Sequence, residues 1–201
     1  MKQVLIINGS YREEGFTDAM LGIMEAKLKE ADIHVDTVVL RDTPIEFCRN
    51  CRHCTQVLGE TPGECVIDDG MRALVHRLEA ADGFIFASPT NYGTVTALFK
   101  RFLERMVVYG YWPWGSPSPK YRKKETKAAL CISSCAAPSL LGRVDYHTLK
   151  ALKMAARNVG AKVVDTLLVG LVPKSGSIII SAYDQKRIVK TVQRLIKALD
   201  I

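Results

Sequence analysis

Patterns typical of β-strands and α-helices alternate five times along the chain. Short apolar runs rich in β-branched or aromatic residues predict strands at residues 4–7, 33–40, 84–87, 128–132 and 163–172. Apolar residues at helical spacing predict helices at residues 16–28, 71–81, 95–106, 149–159 and 188–199. This alternation predicts an α/β fold, a three-layer sandwich in which helices cover both faces of a five-stranded parallel sheet.

Length and charge narrow the class of protein. The 201 residues suit one domain spanning 1–201, with no internal repeat and no linker. A formal net charge of +7 suits an enzyme that handles anionic phosphates. A nucleic-acid-binding protein is not favoured, because the basic residues are spread along the chain except for a cluster at 120–127.

No apolar run approaches the ~20 residues of a membrane span. No signal peptide precedes the first strand, so we expect a cytoplasmic protein.

The loop after the first predicted strand has the composition of an anion site. Asn8-Gly9-Ser10 ends the strand, and the first N–H groups of the next helix have no partner within that helix. Hydroxyls at Ser10 and Thr17 add donors, and Arg12 supplies a planar fork. A simple helix N-cap would use the same hydroxyls. Because the loop lacks both the P-loop pattern and the three-glycine dinucleotide fingerprint, we predict the phosphate of a mononucleotide.

Two further loops follow predicted strands of the same sheet, at residues 88–93 and 133–142. Both are rich in hydroxyl groups, glycine or proline. In open parallel sheets ligands bind outside the carboxyl ends of the strands, where the strand order reverses. The three loops therefore predict one shared cofactor site.

Four of the six cysteines are crowded into a long irregular insertion at about residues 41–70. They are Cys48, Cys51, Cys54 and Cys65. Thiolates at this spacing suit an iron–sulfur cluster or zinc, and buried thiols without a metal are the third interpretation. The residues between the first three cysteines can offset thiolate charge and donate to sulfur: Arg49, Asn50, Arg52 and His53.

Three stretches give the chain a family resemblance over most of its length. They are NGSYREEGFT at 8–17, SPTNYGTVTALFKRFLER at 88–105, and the cysteine group followed by CVIDDGM at 65–71. Together they resemble the flavodoxin-like NAD(P)H-dependent FMN reductases, and especially the subset related to iron–sulfur flavoproteins. The resemblance implies a flavodoxin-like strand order of 2-1-3-4-5, an FMN cofactor, NAD(P)H as electron donor, and a homodimer or homotetramer.

The resemblance also implies which residues bind the cofactor. The phosphate would be held by Ser10, Arg12, Gly15, Phe16 and Thr17. Family members usually have Asn at the position of Phe16, so a backbone contact is expected there. The flavin ring would be lined by Pro89, Thr90, Asn91, Tyr92 and Gly93, and the site closed by Ser133, Ser134 and Cys135. No side chain is predicted to be catalytic, because hydride can pass directly between nicotinamide and flavin.

By the same resemblance, the four clustered cysteines would hold a [4Fe-4S] cluster.

A second long connection, at about residues 109–127, is aromatic and basic. Four aromatic residues are expected to cover the flavin or line a substrate slot, or else to pack at an interface or in a satellite core: Tyr92, Tyr111, Trp112 and Trp114.

These patterns predict an FMN-dependent oxidoreductase that moves electrons from NAD(P)H to a flavin, a quinone or another acceptor. One alternative is an iron–sulfur flavoprotein electron carrier that is fed by ferredoxin. The alternative from a different class is a non-enzymatic metal-binding or redox-sensing module.

Overall fold

The computed structural model describes residues 1–172 and 178–199. The strands are β1 (Gln3–Asn8), β2 (His34–Val39), β3 (Gly83–Pro89), β4 (Gly110–Tyr111), β5 (Lys120–Tyr121), β6 (Lys127–Ser134) and β7 (Ala161–Val169). Five of them form a parallel sheet in the order β2-β1-β3-β6-β7. The predicted order 2-1-3-4-5 is therefore confirmed, since β6 and β7 are the fourth and fifth strands of this sheet. Strands β4 and β5 form a separate antiparallel pair within the aromatic and basic connection.

Helices cover both faces of the sheet. They are α1 (Phe16–Glu30), α2 (Gly70–Ala80), α3 (Ala97–Arg105), α4 (Ser139–Asp145), α5 (Thr148–Asn158) and α6 (Ala182–Leu199). Alternate residues of β1 enter the two apolar layers: Val4 and Ile6 pack with α1 and α6, whereas Leu5 and Ile7 pack with α2, α3 and α5. Burial on both faces explains why the central strands are apolar throughout. None of the described helices is both long enough and apolar enough to cross a membrane.

Several boundaries differ from the predicted ones for local reasons. Helix α3 begins after Thr96, whose hydroxyl accepts the Phe99 N–H at 3.2 Å, whereas the apolar spacing predicted a start at residue 95. Strand β7 ends at Val169, because the chain then turns so that the Val172 N–H donates to the Cys135 carbonyl. Helix α4 occupies part of the predicted loop at 133–142; it has only seven residues and buries only Gly142.

The strand register brings the three predicted loops together. Asn8 of β1 pairs with Ala87 of β3, and Ser88 of β3 pairs with Ser133 of β6. Because β1, β3 and β6 are neighbours in the sheet, the loops that follow them leave the same edge side by side. This edge positions the candidate site.

Candidate functional site

The loop after β1 is shaped by hydrogen bonds of Asn8 and Ser10. The Asn8 side-chain carbonyl accepts the Ser10 N–H at 2.9 Å, and its amide donates to the Asp18 carboxylate at 2.6 Å. The Ser10 hydroxyl accepts the Arg12 N–H and donates to the Arg12 carbonyl, each at 3.2 Å. The predicted residues Ser10 and Arg12 therefore lie in one compact turn above the end of the strand.

Close packing beneath this turn requires glycine at position 9. A β carbon there would lie 2.9 Å from both Cβ and Cδ2 of Phe99. The Gly9 N–H donates to the Ala87 carbonyl at 2.8 Å, and the Thr96 hydroxyl donates to the Gly9 carbonyl at 2.6 Å. Thr96 thus fixes the first loop to the start of α3. Sequence patterns did not single out Thr96, although threonine three residues before a buried Phe is a helix-cap signal.

The first turn of α1 has no side-chain cap. Its N-cap residue is Gly15, in an extended conformation with φ −77° and ψ 175°. Thr17 is buried in this turn, and the side chain of Phe16 packs in the apolar layer under the helix. Phe16 can therefore offer a ligand only its backbone N–H. Uncapped N–H groups at the positive end of a helix favour an anion.

Two arginines lie at this turn, of which the sequence predicted one. Arg12 is exposed. Arg41 follows β2 and lies 3.5 Å from the carbonyls of Ser10 and Arg12, and 3.6 Å from the Asp18 carboxylate. Its Nε is buried without a hydrogen-bond partner. Arg41 was not predicted because it opens the irregular insertion, yet its place at the end of the strand beside β1 was the available signal.

A tight turn forms the tip of the loop after β3. Asn91 and Thr94 exchange backbone hydrogen bonds of 2.8 and 3.1 Å. The two central residues have positive φ, 46° at Tyr92 and 76° at Gly93, and the Tyr92 side chain is fully exposed. Glycine suits this conformation, whereas it costs a residue such as tyrosine about 1–2 kcal/mol. Strain of this kind clusters at ligand sites.

Thr90 joins the second loop to the third. Its N–H donates to the Ser134 carbonyl at 2.8 Å, and its hydroxyl lies 3.2 Å from the Ser133 hydroxyl. The same Thr90 hydroxyl lies 2.8 Å from that of Thr148, the first residue of α5, which was not predicted. The structure therefore brings Thr90, Ser133 and Ser134 together.

Cys135 follows this group but its thiol is turned toward α4. The thiol lies 3.2 Å from the Ala137 carbonyl, to which it donates. A β carbon at Gly142 would lie 2.9 Å from the sulfur, so α4 packs directly against it. Burial raises the pKa of Cys135, which keeps the thiol neutral.

The four cysteines of the insertion line one small cavity. Cys48, Cys51, Cys54 and Cys65 all contribute to its wall. Burial, followed by the three neighbouring cysteines, raises the pKa of Cys54 to about 11. Within the part of the chain that the structure describes, no group of three or more His, Cys, Asp or Glu side chains is arranged to hold a metal ion.

A buried ion pair supports this cavity. Arg105 donates to both carboxylate oxygens of Asp69, at 2.6 and 3.0 Å, and the two side chains are 1% and 8% exposed. Arg105 also donates to the Cys65 sulfur at 3.5 Å and to the Glu46 carbonyl at 2.8 Å. Asp69 in turn caps α2 by accepting the Met71 N–H. Burial acts to raise the pKa of Asp69, but the hydrogen bonds from Arg105 and two backbone N–H groups hold it below its ordinary value.

The Arg52 guanidinium packs against two tryptophans beside the cysteine loop. Its guanidinium lies 3.8 Å from the ring centre of Trp112 and 4.3 Å from that of Trp114, and it donates to the Trp112 carbonyl at 2.6 Å. Arg52 was predicted to donate to sulfur, but its hydrogen bonds from Nη2 go to the Trp112 and Pro113 carbonyls. The backbone N–H of Asn50 donates to sulfur instead, to that of Cys48 at 3.4 Å. Both tryptophans thus pack on the cysteine loop.

Close backbone packing returns the chain from Cys54 to Cys65. The Gly63 N–H donates to the Val108 carbonyl at 2.8 Å, and a β carbon at position 63 would lie only 1.8 Å from the Cys54 carbonyl oxygen. The buried Arg122 donates to the carbonyls of Cys54 and Gly59, both at 3.1 Å. These contacts place Cys65 at the cavity, although ten residues separate it from Cys54 in the sequence.

Comparison with known proteins gives curated relatives and a family. Residues 2–171 match the family model of the NADPH-dependent FMN reductases. An iron–sulfur flavoprotein of Archaeoglobus fulgidus is 36% identical over 113 residues, 56% of this chain and 49% of the relative. One from Methanosarcina thermophila is 30% identical over 102 residues, 51% of each chain. The chain spans about half the length of the curated relatives it matches.

Solved structures share the fold at low identity. The NAD(P)H:quinone oxidoreductase from Methanothermobacter marburgensis has a TM-score of 0.65 at 16% identity, covering 100% of this chain and 98% of that one. A flavodoxin from the domain Archaea has a TM-score of 0.57 at 10% identity, covering 99% of each chain. These likenesses show a flavodoxin-like fold. Since the family model extends over most of this fold and over all three loops, the chain belongs to the NADPH-dependent FMN reductase family.

Proposed function

We propose that the chain is an FMN-dependent oxidoreductase that takes electrons from NADH or NADPH and passes them to a flavin, a quinone or another acceptor. The uncapped first turn of α1, beside the polar loops after β3 and β6, carries this proposal. Membership of the NADPH-dependent FMN reductase family supports it.

The residues at the sheet edge fit FMN. The N–H groups of Phe16 and Thr17, with the guanidinium of Arg12, would hold the phosphate. The buried Nε of Arg41 makes no hydrogen bond and would be a further donor, although the Asp42 and Glu13 carboxylates lie 3.7 and 3.9 Å from it. The loop after β3, residues 89–93, would bind along the flavin ring and is the candidate ring loop. When bound, FMN supplies the hydride chemistry, while the protein binds and orients it. Hydrogen bonds of Thr96 and Thr90, described above, hold the three loops in a fixed relation for that purpose.

Removing the Arg12 side chain tests the phosphate site. Arg12→Ala is expected to weaken FMN binding by about 1.5–3 kcal/mol, the value of a hydrogen bond to a charged group. Riboflavin, which lacks the phosphate, should lose little affinity. Calorimetric titration with both flavins measures the difference, and Arg72→Ala on the distant, exposed face of α2 is the control. Equal losses for FMN and riboflavin would show that Arg12 does not hold the phosphate.

The cysteine cavity supports a second cofactor, and we propose that it holds a [4Fe-4S] cluster. Four thiols line one cavity, and four thiolates are the ligand set that this cluster type takes. Arg105 and the Asn50 N–H already donate toward sulfur, as expected for groups that stabilise bound thiolates.

Iron analysis tests the cluster. Anaerobically reconstituted protein is expected to carry about four irons and four sulfides per chain, since four thiolates ligate this cluster type. Cys54→Ala should lower the iron content and leave FMN bound, because FMN would be held by other loops. Cys131→Ala is the matched control, since Cys131 is buried in β6. Protein with FMN but no iron would remove the cluster from the proposal and leave the reductase proposal intact.

The same cavity favours one alternative function, an iron–sulfur flavoprotein electron carrier fed by ferredoxin. The names of the curated relatives are consistent with that alternative. Reduction of the bound flavin by reduced ferredoxin, without reduction by NADH or NADPH, would favour the carrier.

Assembly into a homodimer or homotetramer is part of the proposal. Leu140 and Val144 of α4 are 73% and 75% exposed, and Tyr92 is exposed at the tip of the candidate ring loop. Apolar side chains grouped at one edge suit burial by another subunit.

A further inference from the structure

A basic cavity lies beside the candidate ring loop. Its volume is about 520 Å³, and it lies between α4, α5 and the edge strand β7. The cationic side chains on its wall are Arg143, Lys150, Lys153 and Arg157, together with His147. None of the described residues that line it is Asp or Glu.

In the described part of the chain, the lysines and arginines of this cavity are not paired with carboxylates. Among the residues that the structure describes, none of these four Lys and Arg side chains forms a salt bridge, whereas exposed cations elsewhere do, such as Lys27 with Glu30 and Arg187 with Asp184. Helix α5 contains no acidic residue, and Lys150, Lys153 and Arg157 lie at the three- and four-residue spacing that shares one helix face. Unpaired cations around a concave site attract an anionic ligand.

One end of the cavity is joined to the ring loop. The His147 N–H donates to the Gly93 carbonyl at 2.7 Å. The Tyr146 ring lies 3.8 Å from the position of a β carbon at Gly93. A ligand in the cavity would therefore reach the loop that is proposed to line the flavin ring.

The other end carries a flat aromatic surface. The guanidinium of Arg157 lies 4.3 Å from the ring centre of Tyr121, so both groups are held in place at this end. His147 and Arg157 are ten positions apart, which corresponds to about 15 Å along a helix. The cavity thus offers cations along its length and an aromatic ring at its far end.

We propose that this cavity binds the phosphate groups of the reduced pyridine dinucleotide, with nicotinamide toward Gly93 and adenine toward Tyr121. This inference rests on the proposed function. The diphosphate and the 2′-phosphate of NADPH together carry a charge of about −4, since a phosphate monoester carries ≈ −1.5 to −2 at neutral pH. Four unpaired cations match that charge, whereas NADH lacks the 2′-phosphate. Lys150 and Lys153 are therefore specificity-determining residues that favour NADPH.

Charge reversal on α5 tests the proposal. The probe is 2′-phospho-ADP-ribose, which carries the phosphates of NADPH without nicotinamide, titrated calorimetrically into the FMN-loaded chain. Lys150→Glu with Lys153→Glu should weaken probe binding at least about tenfold, because each lost contact to a charged phosphate approaches that factor. Lys186→Glu with Lys190→Glu on exposed positions of α6 is the control with the same change in net charge, and it should bind as the parent does.

Kinetics separates this proposal from the proposed function. In the α5 variant the KM for NADPH should rise about tenfold or more, the KM for NADH should rise less, and kcat should change little. Parent-like probe affinity and KM in a variant that still binds FMN would overturn the cavity assignment and leave the oxidoreductase proposal standing. Equal losses in the α6 control, or tighter binding of an oligonucleotide at the same lysines, would also overturn it. Failure of the parent chain to bind FMN would instead overturn the proposed function.

Discussion

Replacing Arg105 by leucine is expected to lower the free energy of unfolding by about 3–5 kcal/mol, because the buried Asp69 carboxylate is left without its partner. Both side chains are almost fully buried, and Arg105 also reaches Cys65 and the Glu46 carbonyl. Urea unfolding followed by circular dichroism measures the change. Lys100→Ala is the control, since its ion pair with Glu104 is exposed and contributes about 0.3–0.5 kcal/mol.

The pH dependence of the Arg105 variant adds a second readout. The pKa of Asp69 lies below its ordinary value, so the stability contributed by this carboxylate is fully present above its unfolded pKa of about 4 and is lost as pH falls through the lower folded pKa. Without Arg105 that loss should begin at higher pH. A loss of stability below about 1 kcal/mol at neutral pH would show that the pair is not the buried support described here.

Substituting Gly63 by alanine is expected to abolish most of the iron content of anaerobically reconstituted protein. A β carbon there would lie 1.8 Å from the Cys54 carbonyl oxygen, a distance that only movement of the backbone can relieve. That movement would carry Cys65 away from the other three cysteines. Binding of FMN, which is proposed to depend on other loops, should persist.

Gly59→Ala provides the matched control in the same loop. At Gly59 the nearest atoms to an added β carbon lie 4.0 Å away, so the substitution is accommodated without movement. Iron and sulfide should be determined per chain for both variants, beside flavin content. Equal iron in Gly63→Ala and Gly59→Ala would contradict the described path of the cysteine loop.

Local sequence patterns were sufficient to predict most strands and helices of the fold. The apolar residues of β1 and β3 reflect burial on both faces, and that signal lies within a few neighbouring residues. The start of α6 is also locally encoded, since the Ser181 hydroxyl accepts the N–H of Asp184, three residues later. Helix α4 escaped prediction because its seven residues make only about two turns, too few to establish a helical period.

Contacts between distant parts of the chain explain what the sequence did not reveal. Arg105 and Asp69 are 36 positions apart, and Arg52 and Trp112 are 60 apart. No periodicity links such residues, so their pairing becomes visible only once the sheet sets their positions. Thr96 is similar, since its hydroxyl acts on Gly9, 87 positions earlier.

Anaerobic titration of the FMN-loaded chain with NADPH tests most directly whether this flavodoxin-like chain is an FMN-dependent oxidoreductase. Gel filtration first establishes that FMN travels with the protein, and riboflavin serves as the ligand without a phosphate. The proposal predicts that FMN is retained, that riboflavin is held more weakly, and that NADPH removes the visible absorbance of the bound flavin much faster than that of free FMN. FMN that separates from the chain, or bound FMN whose absorbance NADPH leaves unchanged, would contradict it.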